Sequence, residues 1–307
     1  MTIRQQPLSM GEAPCPQYRI QIWWQTIRPR TLVASIGPVL LGLALAQAFH
    51  TFDWLAGGLA LMAAVLLQIG ANLANDLGDF VRGADSGDRL GPPRAAQQGW
   101  LSPKELRRAV ILVLAAATTI GIALIAIAGW PVLWIGIASL ICALAYTAGP
   151  FPLAYLGIAD LFVFGFFGPV AVAGTFYVQG GVVPDIVVLA SIPSGFLVTA
   201  ILVVNNLRDR HSDELAGKKT LAVRLGARGA RFEYIALVLG AYLATAGLQL
   251  HDGVSASWLL PLLSLPIAAH EIRGVLRHDG AALNARLAGT ARLGLLFAIL
   301  LCIGVLW

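Results

Sequence analysis

Apolar residues fill long, nearly unbroken runs of this chain, and charged residues gather between the runs. A helix of about 20 residues rises roughly 30 Å, the thickness of a bilayer's hydrocarbon core. Nine runs approach that length, at approximately 31–49, 54–74, 108–128, 131–147, 157–178, 185–205, 232–250, 254–272 and 288–306. The pattern predicts an all-α integral membrane protein with nine transmembrane helices. Two long connections interrupt it, Val81 to Arg107 and Leu207 to Arg231, and each follows a run that ends in asparagine and aspartate. Elsewhere the joints are short and rich in Gly and Pro, such as "AGWP" at 128–131.

Composition agrees with a membrane solvent. Only 12% of the 307 residues are charged and mean hydropathy is +0.77, against roughly 25% charged residues in soluble domains. Basic residues then orient the chain, because short cytoplasmic loops carry an excess of Lys and Arg. With the N-terminus in the cytoplasm all 21 fall on that side: four in the first 30 residues, six from Arg82 to Arg108, seven from Arg208 to Arg231 and four from Arg273 to Arg292. Nine spans then leave Trp307 outside. The net charge of +5 is therefore read as topology, and nucleic-acid binding is not expected. The first twenty residues hold no apolar signal core, so residues 1–20 are expected to be a disordered cytoplasmic tail and 21–307 a single membrane domain. Cys15, Cys142 and Cys302 are far apart and lack metal-ligand spacing.

The chemistry lies in two acidic clusters. In "GANLANDLGDFVRGAD" at 70–85, Asn72 and Asp76 stand four apart, as do Asn75 and Asp79, and Asp76 and Asp79 stand three apart, so one flank of a helix carries them. In "NNLRDRHSDELAGKKT" at 205–220, Asp209 and Asp213 stand one helical turn apart. Acids at a helix end are ordinarily solvated; two such clusters, both beside asparagines, both at the cytoplasmic side and both followed by basic loops, point instead to a site. Carboxylates repel one another unless a hard cation joins them, and Mg²⁺ takes oxygen ligands from carboxylates and phosphates together. Two Mg²⁺ sites beside Lys and Arg suit a diphosphate, and a diphosphate whose other half belongs in a bilayer is an isoprenoid. The metal would stabilise the leaving pyrophosphate.

These residues resemble the UbiA superfamily of intramembrane prenyltransferases. The family's N-D-x-x-D motif matches Asn75, Asp76 and Asp79, and its D-x-x-x-D motif matches Asp209 and Asp213. Within the superfamily the chain is most similar to the branch that prenylates 1,4-dihydroxy-2-naphthoate in menaquinone synthesis. The stretches "TIRPRTLVASIGPVLLG" at 26–42, 75–103, 146–179 and 205–226 carry that closer match. The resemblance implies helices around a central cavity open sideways to lipid, and transfer of a polyprenyl group from its diphosphate to the naphthoate with loss of CO₂. It implies Mg²⁺ held by Asp76, Asp79 and Asp85 on one side and by Asp209 and Asp213 on the other, assisted by Asn72, Asn75 and Asn206. It implies a bacterial inner membrane with the site facing the cytoplasm.

Two features separate the chain from the 4-hydroxybenzoate branch. The third acid of the first motif comes six residues after Asp79, at Asp85, and no lysine follows Tyr146 shortly. Cationic partners for the diphosphate are therefore expected at Lys218, Lys219 and Arg94. Arg28, at the mouth of the first span, suits the acceptor carboxylate or the diphosphate; as a plain feature it would anchor the span. Tyr146 and Tyr155 suit substrate stacking or carbocation stabilisation, or are ordinary interfacial aromatics. Asp160 lies one turn into the fifth span and is a further substrate-binding candidate. "GKKT" at 217–220 lacks the P-loop's first glycine, since Ser212 holds that position. Competing readings are another aromatic acceptor such as 4-hydroxybenzoate, and a cation-coupled transporter, which would place its charges near the midplane.

Overall fold

A computed structural model of the chain describes residues 16–83, 90–146 and 152–307, and within them the backbone forms helices and no strand. A short interfacial helix, α1 (Pro16–Ile27), leads into α2 (Pro29–Ala48), α3 (Trp54–Val81), α4 (Pro103–Ala128) and α5 (Trp130–Ala145). A single turn, α6 (Leu153–Leu156), precedes α7 (Ala159–Gly165), which passes through a π-turn at Phe166–Val170 into α8 (Ala171–Gly180). The chain closes with α9 (Asp185–Leu215), α10 (Leu221–Gly247), a 3₁₀ stretch at Ala256–Ser264 running into α11 (Leu265–Arg277), and α12 (Leu283–Leu306). Among the described residues, eight helical segments are long and apolar enough to cross a membrane. Helix α5 is apolar too, but its 16 residues rise only about 24 Å.

The helices outrun the apolar runs that announce them. Helix α9 carries its hydrogen-bond ladder through the second acidic cluster to Leu215, and α10 starts at Leu221, so the long connection expected at 207–231 shrinks to 216–220. A backbone ladder does not stop where hydropathy falls; it stops at a terminating signal, here Gly217 with φ 74°. Residue Gly226, with φ 70°, then breaks α10 near its start. At the other end of the chain α1 begins at Pro16, inside the segment 1–20 expected to be disordered, because Ile22 buries itself against Leu73 and Leu106. Residues 1–15, with Cys15, lie outside the described residues.

The main apolar core joins α2, α8, α9, α10 and α12 through Leu45, Phe176, Val204, Tyr234 and Leu293. Close helix approach relies on small residues, as expected where lipid supplies no hydrophobic drive between helices. Gly42 of α2 faces the Val172 carbonyl of α8, where a Cβ would come within 2.6 Å of the oxygen. Gly42→Ala is therefore expected to destabilise the bundle by about 1–3 kcal/mol through overpacking, read as a lower thermal midpoint of the detergent-solubilised protein.

Candidate active site

The cytoplasmic ends of α3 and α9 bring the two acidic clusters together. Asp76 and Asp79 project from α3 with 2% and 1% exposure, and Asp209 and Asp213 from α9 with 9% each. Four carboxylates buried so deeply need compensating charge, and three basic side chains supply it. Arg94 Nη2 lies 2.7 Å from Asp79 Oδ2, while Lys218 Nζ lies 3.1 Å from Asp79 Oδ1 and 3.6 Å from Asp213 Oδ1. Arg208 grips Asp209 with two donors, Nε at 2.8 Å and Nη2 at 2.5 Å. One ammonium thus touches both motifs.

Local signals place these groups. Arg94 also donates to the Asn75 carbonyl at 2.8 Å, and the Ala95 amide donates to Asp76 Oδ2 at 3.2 Å, so the loop after α3 folds back onto the end of that helix. Ala95, Ala96 and Leu101 bury beside Leu73 and Ala74 to hold it there. Pro103 and a capping box between Ser102 and Glu105 then start α4. On the α9 side Arg208 donates to Asn205 Oδ1 at 2.8 Å and to Asn284 Oδ1 of α12 at 2.9 Å, and Asn284 in turn donates to the Leu90 carbonyl at 2.8 Å. Gly91 lets the chain lie on the Arg208 guanidinium, which a Cβ would meet at 2.9 Å.

A short segment between α5 and α7 closes the third side. The Tyr155 ring stands between two cations, with Arg82 at 5.3 Å and Lys218 at 5.6 Å from its centroid. Burial pushes the Tyr155 hydroxyl above the ordinary phenol range, against the pull of Lys218. Arg224 ties this segment to the second cluster's loop, donating to the Leu156 carbonyl at 2.7 Å and the Lys219 carbonyl at 3.1 Å. Tyr146 has its hydroxyl raised by burial and then by the negative charges of Asp160, Asp213 and Asp79, with Arg28 acting in the opposite sense. It therefore lies within electrostatic reach of both clusters and of Asp160.

The remaining expected residues fall in different places. Asn72 donates to the Ile27 carbonyl at 2.8 Å and to Thr31 Oγ1 at 2.9 Å, so its amide fastens α3 to the α1–α2 joint. At that joint Arg28 adopts a left-handed backbone, φ 56°. Asn206 is buried and Lys219 is exposed. Asp85 lies outside the described residues. Both carboxylate oxygens of Asp160 are buried without a hydrogen-bond partner. Glu233 of α10 likewise has its Oε2 buried without a hydrogen-bond partner. Sequence reasoning passed over Asn205, Asn284 and Glu233. Asn205 adjoins a motif and was legible; Asn284 is remote in sequence, and nothing local marks it.

Beneath the charges lies an apolar slot between α2, α9 and α12, lined by Val33, Gly37, Val198, Ile201, Ala291 and Leu295 among others. Ile201 is one helical turn from Asn205. Charged groups thus lie at the helix ends, and an apolar slot lies further along α9.

Residues 35–300 match the UbiA prenyltransferase family. The chain is 38% identical to 1,4-dihydroxy-2-naphthoate octaprenyltransferase of Escherichia coli (strain K12), over 94% of this chain and 96% of that protein. It is 33% identical to the protein of that name from Bacillus subtilis (strain 168), over 96% and 95%. UbiA prenyltransferase domain-containing protein 1 of Homo sapiens is 30% identical over 91% and 82%. Among solved structures, a UbiA homolog from Archaeoglobus fulgidus bound to GPP and Mg²⁺ superposes with a TM-score of 0.65 at 18% identity, over 93% of this chain and 99% of that one. The apo UbiA homolog from Aeropyrum pernix K1 gives 0.67 at 18%, over 91% and 98%. These two share the fold.

Arg208 gathers Asp209, Asn205 and Asn284, so Arg208→Leu strands a buried carboxylate and is expected to cost about 3–5 kcal/mol. Asn284→Ala, which removes one bond from the Arg208 guanidinium and one to a backbone carbonyl but strands no carboxylate, is expected to cost about 1–3 kcal/mol. Thermal unfolding of the purified variants checks the order; an Arg208→Leu protein as stable as the parent would dismiss the latch.

Proposed function

The chain belongs to the UbiA prenyltransferase family, and we propose that its two acidic clusters bind a metal-complexed polyprenyl diphosphate for transfer to 1,4-dihydroxy-2-naphthoate. It is an integral membrane prenyltransferase of menaquinone biosynthesis, as the naphthoate prenyltransferases it resembles over nearly their whole length indicate. The observation that carries the site assignment is the Lys218 ammonium within reach of both Asp79 and Asp213. It marks a point where positive charge meets both motifs.

The residues present fit Mg²⁺. The donor set is all carboxylate and amide oxygen, which hard cations prefer, and a cation already lies between two of the carboxylates. Asp76 and Asp79, with Asp85, would hold metal from the α3 side, and Asp209 and Asp213 from the α9 side; Asn75 and Asn206 flank them. Bound there, Mg²⁺ neutralises the diphosphate and stabilises it as a leaving group.

The chain's own groups supply the rest. On this reading the apolar faces of α2, α9 and α12 meet the polyprenyl tail, and Lys218, Lys219 and Arg94 serve the diphosphate. When the allylic C–O bond breaks, its electron pair leaves with the pyrophosphate and the prenyl carbon becomes cationic. Tyr155 presents its π-face to two cations, and it and Tyr146 would stabilise such a cation. The ring carbon that bears the acceptor carboxylate attacks it, and the electrons of the breaking C–CO₂ bond restore the aromatic ring. Arg28 suits the acceptor carboxylate, and the partnerless Asp160 suits an acceptor hydroxyl. We read α5 as a ninth span, which would set the N-terminus and the site at the cytoplasmic face of the inner membrane and Trp307 opposite; the one-sided Lys and Arg support this reading.

Lipid-reconstituted protein given polyprenyl diphosphate is expected to prenylate 1,4-dihydroxy-2-naphthoate in Mg²⁺ and to stop in EDTA. Product from 4-hydroxybenzoate alone would reassign the acceptor, and no pyrophosphate release with any acceptor would overturn the reading. Asp79→Ala and Asp209→Ala are each expected to lower kcat at least about a hundredfold with membrane insertion intact. A near-normal rate for Asp79→Ala would remove the carboxylates from catalysis.

A further inference from the structure

Helix α9 ends in a Schellman motif: the Lys218 amide donates to the Asp213 carbonyl at 2.8 Å and the Gly217 amide to the Glu214 carbonyl at 3.0 Å, with Gly217 at φ 74°. This reversal throws the Lys218 side chain back across the mouth of the site. Its ammonium there meets Asp79, Asp213 and the Tyr155 face. The three cations of the site are not equally fixed. Arg94 is also bonded to the Asn75 carbonyl, and Arg208 to Asn205 and Asn284. Among the described residues the Lys218 ammonium meets no carbonyl or amide, only two carboxylates and a ring, and it rides on a flexible four-carbon stem.

We infer that Lys218 is an exchangeable stand-in for metal, holding Asp79 and Asp213 together until metal and diphosphate arrive, and then moving from the carboxylates to the diphosphate. This rests on the metal–diphosphate reading above. A divalent cation that reached both carboxylates would lie against the ammonium, and like charges at such range in a poorly hydrated site repel strongly. Metal alone must therefore displace Lys218 from both carboxylates without bringing an anion to receive it. Diphosphate supplies that anion. Each ligand then raises the affinity of the other by the same factor, as linkage requires, and the site stays largely closed to metal that arrives without substrate. No bond is made or broken in the exchange; one ion pair replaces another.

The test measures Mn²⁺ binding to the detergent-purified full chain by EPR, alone and with a non-ionising geranyl thiolodiphosphate. In the parent protein Mn²⁺ alone is expected to bind weakly and the diphosphate analogue to strengthen it at least about tenfold. In Lys218→Met, Mn²⁺ alone is expected to bind at least about tenfold more tightly than in the parent, because the competing charge is gone, and the enhancement by the analogue to shrink to what direct metal–diphosphate contact supplies. Lys218→Gln, uncharged but polar, is expected to behave the same way and serves if the methionine variant does not fold. Lys218→Arg, which keeps the charge, is expected to bind Mn²⁺ alone as weakly as the parent. Parent protein that binds Mn²⁺, with uncharged variants that bind it no more tightly, would overturn the exchange and leave the active-site reading standing. Parent protein that takes up no Mn²⁺ even with the analogue would overturn both.

Discussion

Four carboxylates with less than a tenth of their surface exposed, at the ends of two membrane helices, set the constraint to which the rest of the cytoplasmic face answers. An uncompensated buried carboxylate is too costly to keep ionised, so each must be met by a cation or by donors. The means of meeting them organises the whole face. Arg94 arrives on a loop pinned by its own small apolar core, Arg208 comes from the second motif itself, and Lys218 comes from the turn that ends α9. The loops are therefore parts of the charge balance as much as connections, and their fold follows from where cations are needed.

The same balance explains why the site is held by interactions of unequal permanence. A guanidinium fixed by several oxygens is a structural part: Arg208 touches Asp209, Asn205 and Asn284, and so joins α9, α12 and, through Leu90, the first loop. An ammonium shared between two carboxylates is a different device, because it has no geometric fork to lock it in place. Buried ion pairs add little net stability over well-packed apolar groups. Their presence here in such number follows from the burial of the carboxylates, and the cations are the means by which those carboxylates stay ionised.

Much of this was legible in the sequence. Hydropathy located the membrane helices because lipid admits only segments whose backbone is bonded internally, and the spacing of Asp76, Asp79, Asp209 and Asp213 put each pair on one helix flank. Helix ends were less legible. The polar extensions of α9 and α10 carry no apolar signal, so the reading stopped where hydropathy fell although Gly217 was there to be read as the terminator. Side-chain partnerships were the least visible. The pairing of Arg94 with Asp79 and the bonds from Asn72 to the first joint have no counterpart in the local sequence. Asn284, 76 residues from Arg208, meets it only because α12 packs beside α9. No local pattern encodes such a contact; it follows from the assembled bundle.

One partnership was written locally. From Asp213 to Lys218 the sequence "DELAGK" is both the end of the second motif and the termination code of its helix. The glycine takes the left-handed conformation, the lysine amide closes back on the Asp213 carbonyl, and the lysine side chain turns toward the Asp213 carboxylate and across to Asp79. The backbone bond and the ion pair thus act on the same two residues. An alanine in place of Gly217 would strain the turn and also misdirect the cation. The distance between aspartate and lysine along the chain is set by the geometry of a helix end, so a secondary-structure rule fixes where the lysine's charge meets the two acidic clusters.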